Sequence, residues 1–275
     1  MKRILLALAA TFAASSAMAA DVIYNEPAPM PMDVVSNVSW AGFYAGIQAG
    51  YGFGSTGQVQ LDPFTAALVT PFSPGVAGDP PGGFNANGDF EDGFVGGVHI
   101  GYDWQAGNIV YGAILDVNYT DIGDEQRAFS RSPAEYVISR DLDYLATLRG
   151  RLGYAFSENF LGYVTGGLAY GDVDFNYRQG ARSPATTVTT SGGQDSDFGY
   201  TVGGGVEARL TQNWSIGLEY LYTDLGDNDF QANLQGGPFG GTGGNAGSNP
   251  GGTNLTGTDG DFDFHTVTAK ISYRF

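Results

Sequence analysis

The sequence contains no cysteine and only two histidines among its 275 residues. The absence of cysteine excludes a disulfide scaffold and any thiolate-bound zinc or iron–sulfur site. Positive charge is scarce as well, because 12 lysines and arginines stand against 29 aspartates and glutamates, for a formal net charge of −17. A chain this acidic is a poor partner for nucleic acid.

Long hydrophobic runs are missing except at the N-terminus. Lys2 and Arg3 precede an apolar run at 4–14, and Ala17-Met18-Ala19 has the small-residue pattern of a cleavage site. We predict that residues 1–19 are a signal peptide, whose removal takes away two cations and changes the charge from −17 to −19. Since no later run of about 18 apolar residues could form a transmembrane helix, only a closed barrel could place this chain in a membrane.

Residues 20–39 differ in composition from the rest of the chain. Pro27, Pro29 and Pro31 alternate there, and the segment shows neither helical nor strand periodicity. This composition predicts an extended, proline-rich periplasmic tether. Its roughly 20 residues could reach about 60 Å at about 3.1 Å per residue.

Glycine and aromatic residues are abundant, with 44 glycines, 16 tyrosines and 18 phenylalanines. In the first strand, Phe43, Ile47 and Tyr51 lie on one side of an alternation whose other side is rich in glycine. This period of two is typical of a strand with two unlike faces. The stretches with this pattern cover about 40–53, 94–104, 109–119, 142–154, 160–171, 198–210, 214–222 and 265–275.

The fifth of these strands, about 160–171, leaves its orientation open because glycine lies on both faces. Its apolar face is either that of Val164, Leu168 and Tyr170 or that of Tyr163, Thr165 and Ala169.

The connections between the eight strands alternate strictly between short and long. Tight turns are expected near 106–108, 155–159 and 211–213, and long connections near 54–92, 121–140, 172–197 and 225–262. This alternation predicts an all-β fold over residues 40–275: an eight-stranded antiparallel up-and-down transmembrane β-barrel with short periplasmic turns and four long extracellular loops. The glycine-rich stretch 236–257 is expected to be a flexible loop.

The apolar stripes begin and end in aromatic residues, as Phe43 and Tyr51 or Trp214 and Tyr222 show. Aromatic side chains at both ends of a strand fit the two interfacial girdles of a membrane barrel. We therefore expect the apolar stripes to face lipid and the glycine-rich stripes to face the lumen, although a soluble barrel would have the opposite arrangement.

The residues also resemble a known family. The start Ala20-Asp21, the proline-spaced tether, the motif at 39–44 (SWAGFY), the motif at 163–171 (YVTGGLAYG) and the closing ISYRF at 271–275 are similar to the small outer-membrane β-barrel (outer-membrane immunogenic protein, porin-like) family of alphaproteobacteria. The resemblance spans essentially the whole mature chain. It implies a location in the outer membrane, in contact with lipid and lipopolysaccharide.

The resemblance also implies roles for the two ends of the mature chain. Ile271, Tyr273 and Phe275 match the C-terminal signal read by the barrel assembly machinery. In this family and in related barrels, a mature Ala-Asp start can be joined to peptidoglycan by L,D-transpeptidases, so Ala20 and Asp21 are the candidate attachment site. The alternative is an unmodified lead-in.

Four charged residues are expected inside the lumen at similar height, namely Arg149, Glu207, Glu219 and Lys270. Because Glu207 and Glu219 lie on neighbouring strands, cations must lie between them, and Lys270 and Arg149 are placed to do so. Arg151, Arg209, Arg274 and Asp116 extend the set. The predicted network would plug the lumen and oppose conduction, whereas the alternative is a set of independent, hydrated charges.

Catalytic, cofactor and metal sites have little support. A hydrolase needs a histidine beside a nucleophile and an orienting acid. His99 is expected to face the lumen, and His265 is expected to face lipid near the loop-side rim, where serine and aspartate residues are frequent. The acidic clusters of the loops, such as Asp121, Asp124 and Glu125, favour a solvated surface, or diffuse divalent-cation association shared with lipopolysaccharide phosphates. The cluster Asp259, Asp261 and Asp263 lacks the glycine and glutamate of a calcium loop.

The sequence therefore predicts a structural, non-enzymatic protein that stabilises the cell envelope and is a candidate for covalent attachment to peptidoglycan. Two alternatives remain open. One is a small porin or channel, and the other is a surface protein that binds haemin or another ligand through its loops.

Overall fold

The structure, a computed structural model, describes residues 39–63, 67–68, 85–130, 134–192, 197–227, 230–244, 249–257 and 261–275. This part of the chain contains thirteen strands. They are β1 (Gly42–Gly54), β2 (Val59–Asp62), β3 (Asn85–Glu91), β4 (Gly93–Ala106), β5 (Ile109–Phe129), β6 (Glu135–Ser157), β7 (Phe160–Gln179), β8 (Thr187–Ser191), β9 (Asp197–Arg209), β10 (Trp214–Asp227), β11 (Gln231–Gln235), β12 (Thr253–Gly257) and β13 (Asp261–Arg274). The predicted signal peptide and all of the predicted tether before Ser39 lie outside the described residues.

Eight long strands form a closed antiparallel ring in the order β1, β4, β5, β6, β7, β9, β10, β13. Each strand pairs with the next long strand along the chain, and β1 pairs with β13, where Ile47 lies opposite Ile271. The ring therefore has no free edge, and the predicted up-and-down barrel is confirmed. No helix among the described residues is long and apolar enough to cross a membrane.

The outer face of the ring is apolar. Large aliphatic side chains that a soluble protein would bury are exposed there, such as Leu168 at 65%. Aromatic residues border this band at both ends. They are Phe43, Tyr102, Trp104, Tyr111, Tyr154 and Trp214 on the turn side, and Tyr51, Phe94, Tyr119, Tyr144, Tyr170 and Tyr220 on the loop side. The expected apolar-out arrangement with two aromatic girdles is confirmed.

The fifth strand of the ring, β7, has one clear orientation. Val164, Leu168 and Tyr170 are exposed on its outer face, whereas Tyr163 and Ala169 are buried inside the ring.

From Phe43 to Tyr51, β1 rises about 26 Å at about 3.3 Å per residue, or about 20 Å along the axis at a tilt of about 40°. This height suits the hydrocarbon core of an outer membrane.

The second long connection, expected as a loop over 121–140, is largely a hairpin. After a bulge between Tyr119 and Ile122, β5 and β6 stay paired as far as Phe129 and Glu135. The sequence prediction was wrong here because the charged residues of this segment were interpreted as loop. They line a sheet that rises beyond the membrane, with β3 paired to the edge of β5.

The other connections build a second sheet of four short strands, in the order β2, β12, β11, β8. Its inner face and the top of the β5–β6 hairpin enclose a core that includes Leu61, Tyr136, Leu234, Phe239 and Leu255. We call the four-stranded sheet, together with the top of the β5–β6 hairpin, the head. For the described residues of 236–257, the expectation of a flexible loop was wrong, because Phe239 is fully buried and Thr253–Gly257 forms β12. Glycines such as Gly240 (φ +84°) supply the left-handed turns that bring this segment back to the core.

Candidate functional site

The lumen is the candidate site because it holds the charged side chains of the barrel. Strand alternation turns Arg149, Glu207, Glu219 and Lys270 inward, and all four are at least 94% buried. Buried charges are stable only when they are paired and hydrogen-bonded, so their partners decide what the lumen can do.

Arg149, Glu219 and Lys270 meet near the middle of the barrel. Arg149 Nη2 lies 3.1 Å from Glu219 Oε1, and Lys270 Nζ lies 2.9 Å from the same oxygen. Arg149 Nη2 also lies 2.7 Å from Asp116 Oδ2. Tyr163 donates a hydrogen bond of 2.8 Å to the other oxygen of Glu219. We call Asp116, Arg149, Glu219 and Lys270 the central quartet.

Glu207 contacts neither Arg149 nor Lys270 and belongs to a second group nearer the turns. Arg151 Nη2 lies 2.5 Å from Glu207 Oε2 and Nη1 lies 3.7 Å from Asp103 Oδ2. Arg274 Nη2 lies 3.0 Å from Asp103. We call Asp103, Arg151, Glu207 and Arg274 the turn-side quartet. The single group expected from the sequence is thus two groups, because Glu207 pairs with Arg151, which lies on the other side of β7, and not with Arg149 or Lys270.

Arg209, which was expected to extend the ionic group, lies elsewhere. Its guanidinium stacks over the Trp40 ring at 4.3 Å and donates a hydrogen bond of 3.0 Å to the carbonyl of Ser39. Arg209 lies at the end of β9, at the rim of the barrel. This position explains its contact with the chain that enters β1.

Glycine makes room for the charged side chains. Gly217 lies opposite both Glu207 and Lys270 in the ladder, and Gly167 lies opposite Arg149. A Cβ on Gly167 would lie 2.1 Å from the carbonyl oxygen of Leu148, so this position accepts no side chain. The narrow lumen of eight strands therefore accommodates long charged side chains because the residues opposite them are glycines.

Each quartet contains two basic and two acidic side chains, whose formal charges sum to zero. Between the quartets, Tyr44, His99, Tyr163 and Ser272 help to line a cavity of about 10 Å³. A cavity of this size is at the lower limit for one water molecule. The charges are therefore bound to one another, and they leave little room for ions or solutes.

Apolar side chains fill the barrel on the loop side of the quartets. This cluster consists of Val95, Ile122, Leu142, Leu145, Ala169, Val173, Leu225, Phe262 and Phe264. Above it, Arg140 binds Asp124 through two hydrogen bonds of 2.8 and 2.6 Å and stacks over Phe262 at 5.0 Å. The lumen is thus occupied by side chains from the turn side to the base of the head.

The two histidines lie on opposite faces of the barrel. His99 is buried in the lumen, and its Nε2 lies 2.8 Å from Ser272 Oγ. A serine and a histidine are two of the three members of a catalytic triad. Here both side chains are buried in the lumen. His265 lies on the outer face, 2.7 Å from the hydroxyl of Tyr220 and stacked on Phe53.

Carboxylates crowd the outer side of the sheet just beyond the loop-side girdle. A depression of about 300 Å³ is lined by Glu91, Asp121, Asp141, Asp143 and Asp174. Burial, followed by the charges of Asp143, Asp174 and Asp124, raises the pKa of Asp141. Within the described ranges, no three His, Asp or Glu side chains are placed to hold a metal ion.

The remaining predicted site residues lie at the chain ends. Ile271 and Tyr273 lie on the outer face of β13, and Phe275, which directly follows the strand, packs against Phe43 at 5.5 Å. Ala20 and Asp21 lie outside the described residues.

Sequence reasoning missed Asp103, Tyr44, Trp40 and the Arg140–Asp124 pair. Alternation alone would have placed Asp103 inside, since it lies between the lipid-facing Tyr102 and Trp104. The inward direction of Asp124 and Arg140 had no such signal, because a bulge separates them from the regular part of the strand.

A closed ring with an apolar exterior, two aromatic girdles and a charged, filled interior is the architecture of an outer-membrane barrel. A family model described as "Outer membrane protein beta-barrel domain" matches residues 4–275. The chain belongs to this family. It is an outer-membrane protein, and the location expected from the sequence is confirmed.

Relatives of this outer-membrane barrel carry related names. The 31 kDa outer-membrane immunogenic protein of Brucella melitensis biotype 1 is 32% identical over 284 aligned residues, which cover 100% of both chains. The 22 kDa outer membrane protein of Rhizobium leguminosarum bv. viciae is 38% identical over 50% of this chain and 56% of that protein. These names confirm the resemblance to outer-membrane immunogenic proteins.

Among solved structures, the chain is similar to the outer membrane protein OprG from Pseudomonas aeruginosa, over 86% of this chain and 97% of that one. The TM-score is 0.48 and the sequence identity is 14%.

Proposed function

We propose that this outer-membrane barrel is a structural protein that stabilises the envelope and is joined to peptidoglycan through the amino group of Ala20. The observation that carries the structural role is the lumen, in which two neutral quartets and an apolar cluster follow one another along the axis. A barrel filled in this way supports a membrane-spanning, non-conducting role better than a diffusion pore, because charges held by one another offer no path to ions.

The anchoring step needs a free N-terminal amine, a segment long enough to extend from the barrel to the wall, and an acyl donor. In the proposed reaction, the Ala20 nitrogen forms an amide bond with a carbonyl carbon of a wall peptide held by an L,D-transpeptidase, and the residue formerly attached to that carbonyl leaves. Residues 20–39 carry alternating prolines and can span about 60 Å when extended. This reach suits the gap between a membrane barrel and the wall.

The other partners in the proposal follow from the surface of the barrel. Lipid and lipopolysaccharide would cover the apolar band and its aromatic girdles. The barrel assembly machinery would read the outward row Ile271, Tyr273 and Phe275 on the last strand. No enzymatic activity is part of the proposed function.

Mass spectrometry tests the anchor directly. Peptidoglycan from the source cells is boiled in detergent and digested with muramidase, and peptides beginning at Ala20 are searched for an attached muropeptide. A modified N-terminal peptide supports the proposal. Free N-termini alone, at good coverage of the chain, would contradict it.

The folded head favours a second candidate function, recognition of a ligand at the cell surface. A sheet with its own hydrophobic core presents a fixed surface, which a set of disordered loops would not. Haemin is the first ligand to test, by titration followed by absorbance. A saturable shift of the haem band that disappears when the head is removed by protease would support this function.

A further inference from the structure

The chain enters the barrel through the turn-side opening and is fixed there before β1 begins. Trp40 is 1% exposed and packs in one cluster with Val110, Ala155 and Leu161, at the turn-side ends of β5, β6 and β7. Its side chain thus closes the turn-side end of the lumen. A tryptophan at the rim of a barrel ordinarily faces lipid, as Trp104 and Trp214 do here at 49% and 46% exposure.

Arginines from two other strands contact the same residue. The guanidinium of Arg209, on β9, lies 4.3 Å from the centre of the Trp40 ring, and that of Arg274, on β13, lies 5.8 Å away. Arg209 also donates to the carbonyl of Ser39, and Arg274 donates to the carbonyl of Trp40. Arg274 is itself oriented by Asp103 of the turn-side quartet.

A third group fixes the backbone from β4. The side-chain oxygen of Gln105 accepts hydrogen bonds from the Trp40 amide at 2.6 Å and from the Ser39 hydroxyl at 3.1 Å. Two successive residues are therefore bound to β4, β9 and β13, and one of them is packed against the ends of three further strands. Ordinary entry into a strand requires none of these contacts.

We propose that Ser39 and Trp40, with Gln105, Arg209 and Arg274, form a clamp that carries tension from the preceding chain to the barrel as a whole. This role rests on the proposed attachment of Ala20 to the wall. Without the clamp, a pull on the N-terminal segment would act on the first pairs of β1 alone, Gly42 with Asp103 and Tyr44 with Arg274. The clamp distributes this force over β4, β9 and β13 and over the strand ends that pack on Trp40.

Force spectroscopy on single molecules tests the clamp without any contribution from the wall. Because the chain has no cysteine, Ala20→Cys supplies a unique handle for pulling the full mature chain out of a lipid bilayer from the turn side. The unaltered clamp is expected to give an initial force peak before the first hairpin of the barrel unfolds. Trp40→Ala removes the buried ring and its stacking on Arg209 and Arg274 but keeps the backbone hydrogen bonds of residues 39 and 40. It is expected to lower this peak and to leave the later peaks unchanged.

Trp214→Ala is the matched control, because it removes a tryptophan of the same rim that faces lipid and contacts neither Ser39 nor Trp40 in the described contacts. It should keep the initial peak. Should Trp40→Ala fail to show the heat-modifiable gel migration of a folded barrel, Arg209→Ala with Gln105→Ala replaces it and should also lower the peak. An initial peak of unchanged force in a folded clamp variant overturns the proposal. Since the handle is artificial, this outcome is independent of whether Ala20 is joined to peptidoglycan in cells.

Discussion

At the scale of single residues, Glu219 is the side chain that joins the central quartet to Tyr163. Its carboxylate receives Arg149, Lys270 and Tyr163, and all four side chains are buried in the lumen. The formal charges of the central quartet sum to zero, so the loss of one charged member leaves a buried charge without its partner.

Glu219→Gln should therefore lower the free energy of unfolding by about 3–5 kcal/mol, the usual cost of breaking one side of a buried ion pair. The measurement is urea-induced unfolding in detergent micelles, followed by intrinsic fluorescence. Asp89→Asn, at an exposed carboxylate of β3, is the control and should change stability little. Equal effects of the two substitutions would contradict the central quartet.

Asp141 predicts a dependence on pH. Burial and neighbouring carboxylates raise its pKa above the ordinary 3.8, so the folded state disfavours the ionised form. Below pH 3.8 the group is protonated in both states and has no effect, and its destabilising effect grows as the pH rises through the raised pKa. Asp141→Asn should thus raise the melting temperature at pH 7 and leave it unchanged at pH 3. A similar gain at both pH values would show that charge is not the cause.

At the scale of elements, alternation in the sequence predicted the strands of the ring. The short strands of the head depend on long-range pairing and were not predicted. Strands such as β9 and β10 pair with neighbours along the chain, so local periodicity and short turns predicted them. The sheet of the head joins β2, β8, β11 and β12 from three different connections. Strands of four or five residues carry too little periodicity to be recognised, and nothing local states which ones pair.

Two glycines of the ring give a matched prediction for packing. Gly167→Ala would place a methyl group 2.1 Å from the Leu148 carbonyl oxygen, whereas the Cβ of Gly150→Ala meets nothing nearer than 3.8 Å. The first substitution should reduce the fraction of heat-modifiable, folded barrel, and the second should leave it unchanged. The assay is gel migration with and without boiling. Normal folding of Gly167→Ala would contradict the close approach of β6 and β7.

The head has a core of its own, and Phe239 is the test of its integrity. Phe239→Ala removes a fully buried ring that contacts Tyr136 edge-on at 5.6 Å, at a typical cost of about 3–5 kcal/mol. Limited proteolysis should then cut the head faster while the barrel stays resistant. A head as resistant as before would show that this core does not hold the short strands together.

At the scale of the whole molecule, the described parts form one column of side chains. Trp40 closes the turn side, two neutral quartets follow, and the apolar cluster and the Arg140–Asp124 pair lead into the head. The sequence anticipated charges in the lumen, yet it could not separate them into two groups, since each partner lies on another strand and strand alternation does not state which one. We propose that this column leaves no path for ions.

Single-channel recording in planar lipid bilayers tests that claim most directly. The purified barrel is added alone and then together with a trace of a general porin, whose conductance steps show that the membranes accept inserted barrels. We predict no discrete conductance steps from the barrel alone, while heat-modifiable protein is recovered from the same membranes. Reproducible steps from the barrel alone, which scale with its concentration, would contradict the filled lumen and with it the proposed structural role.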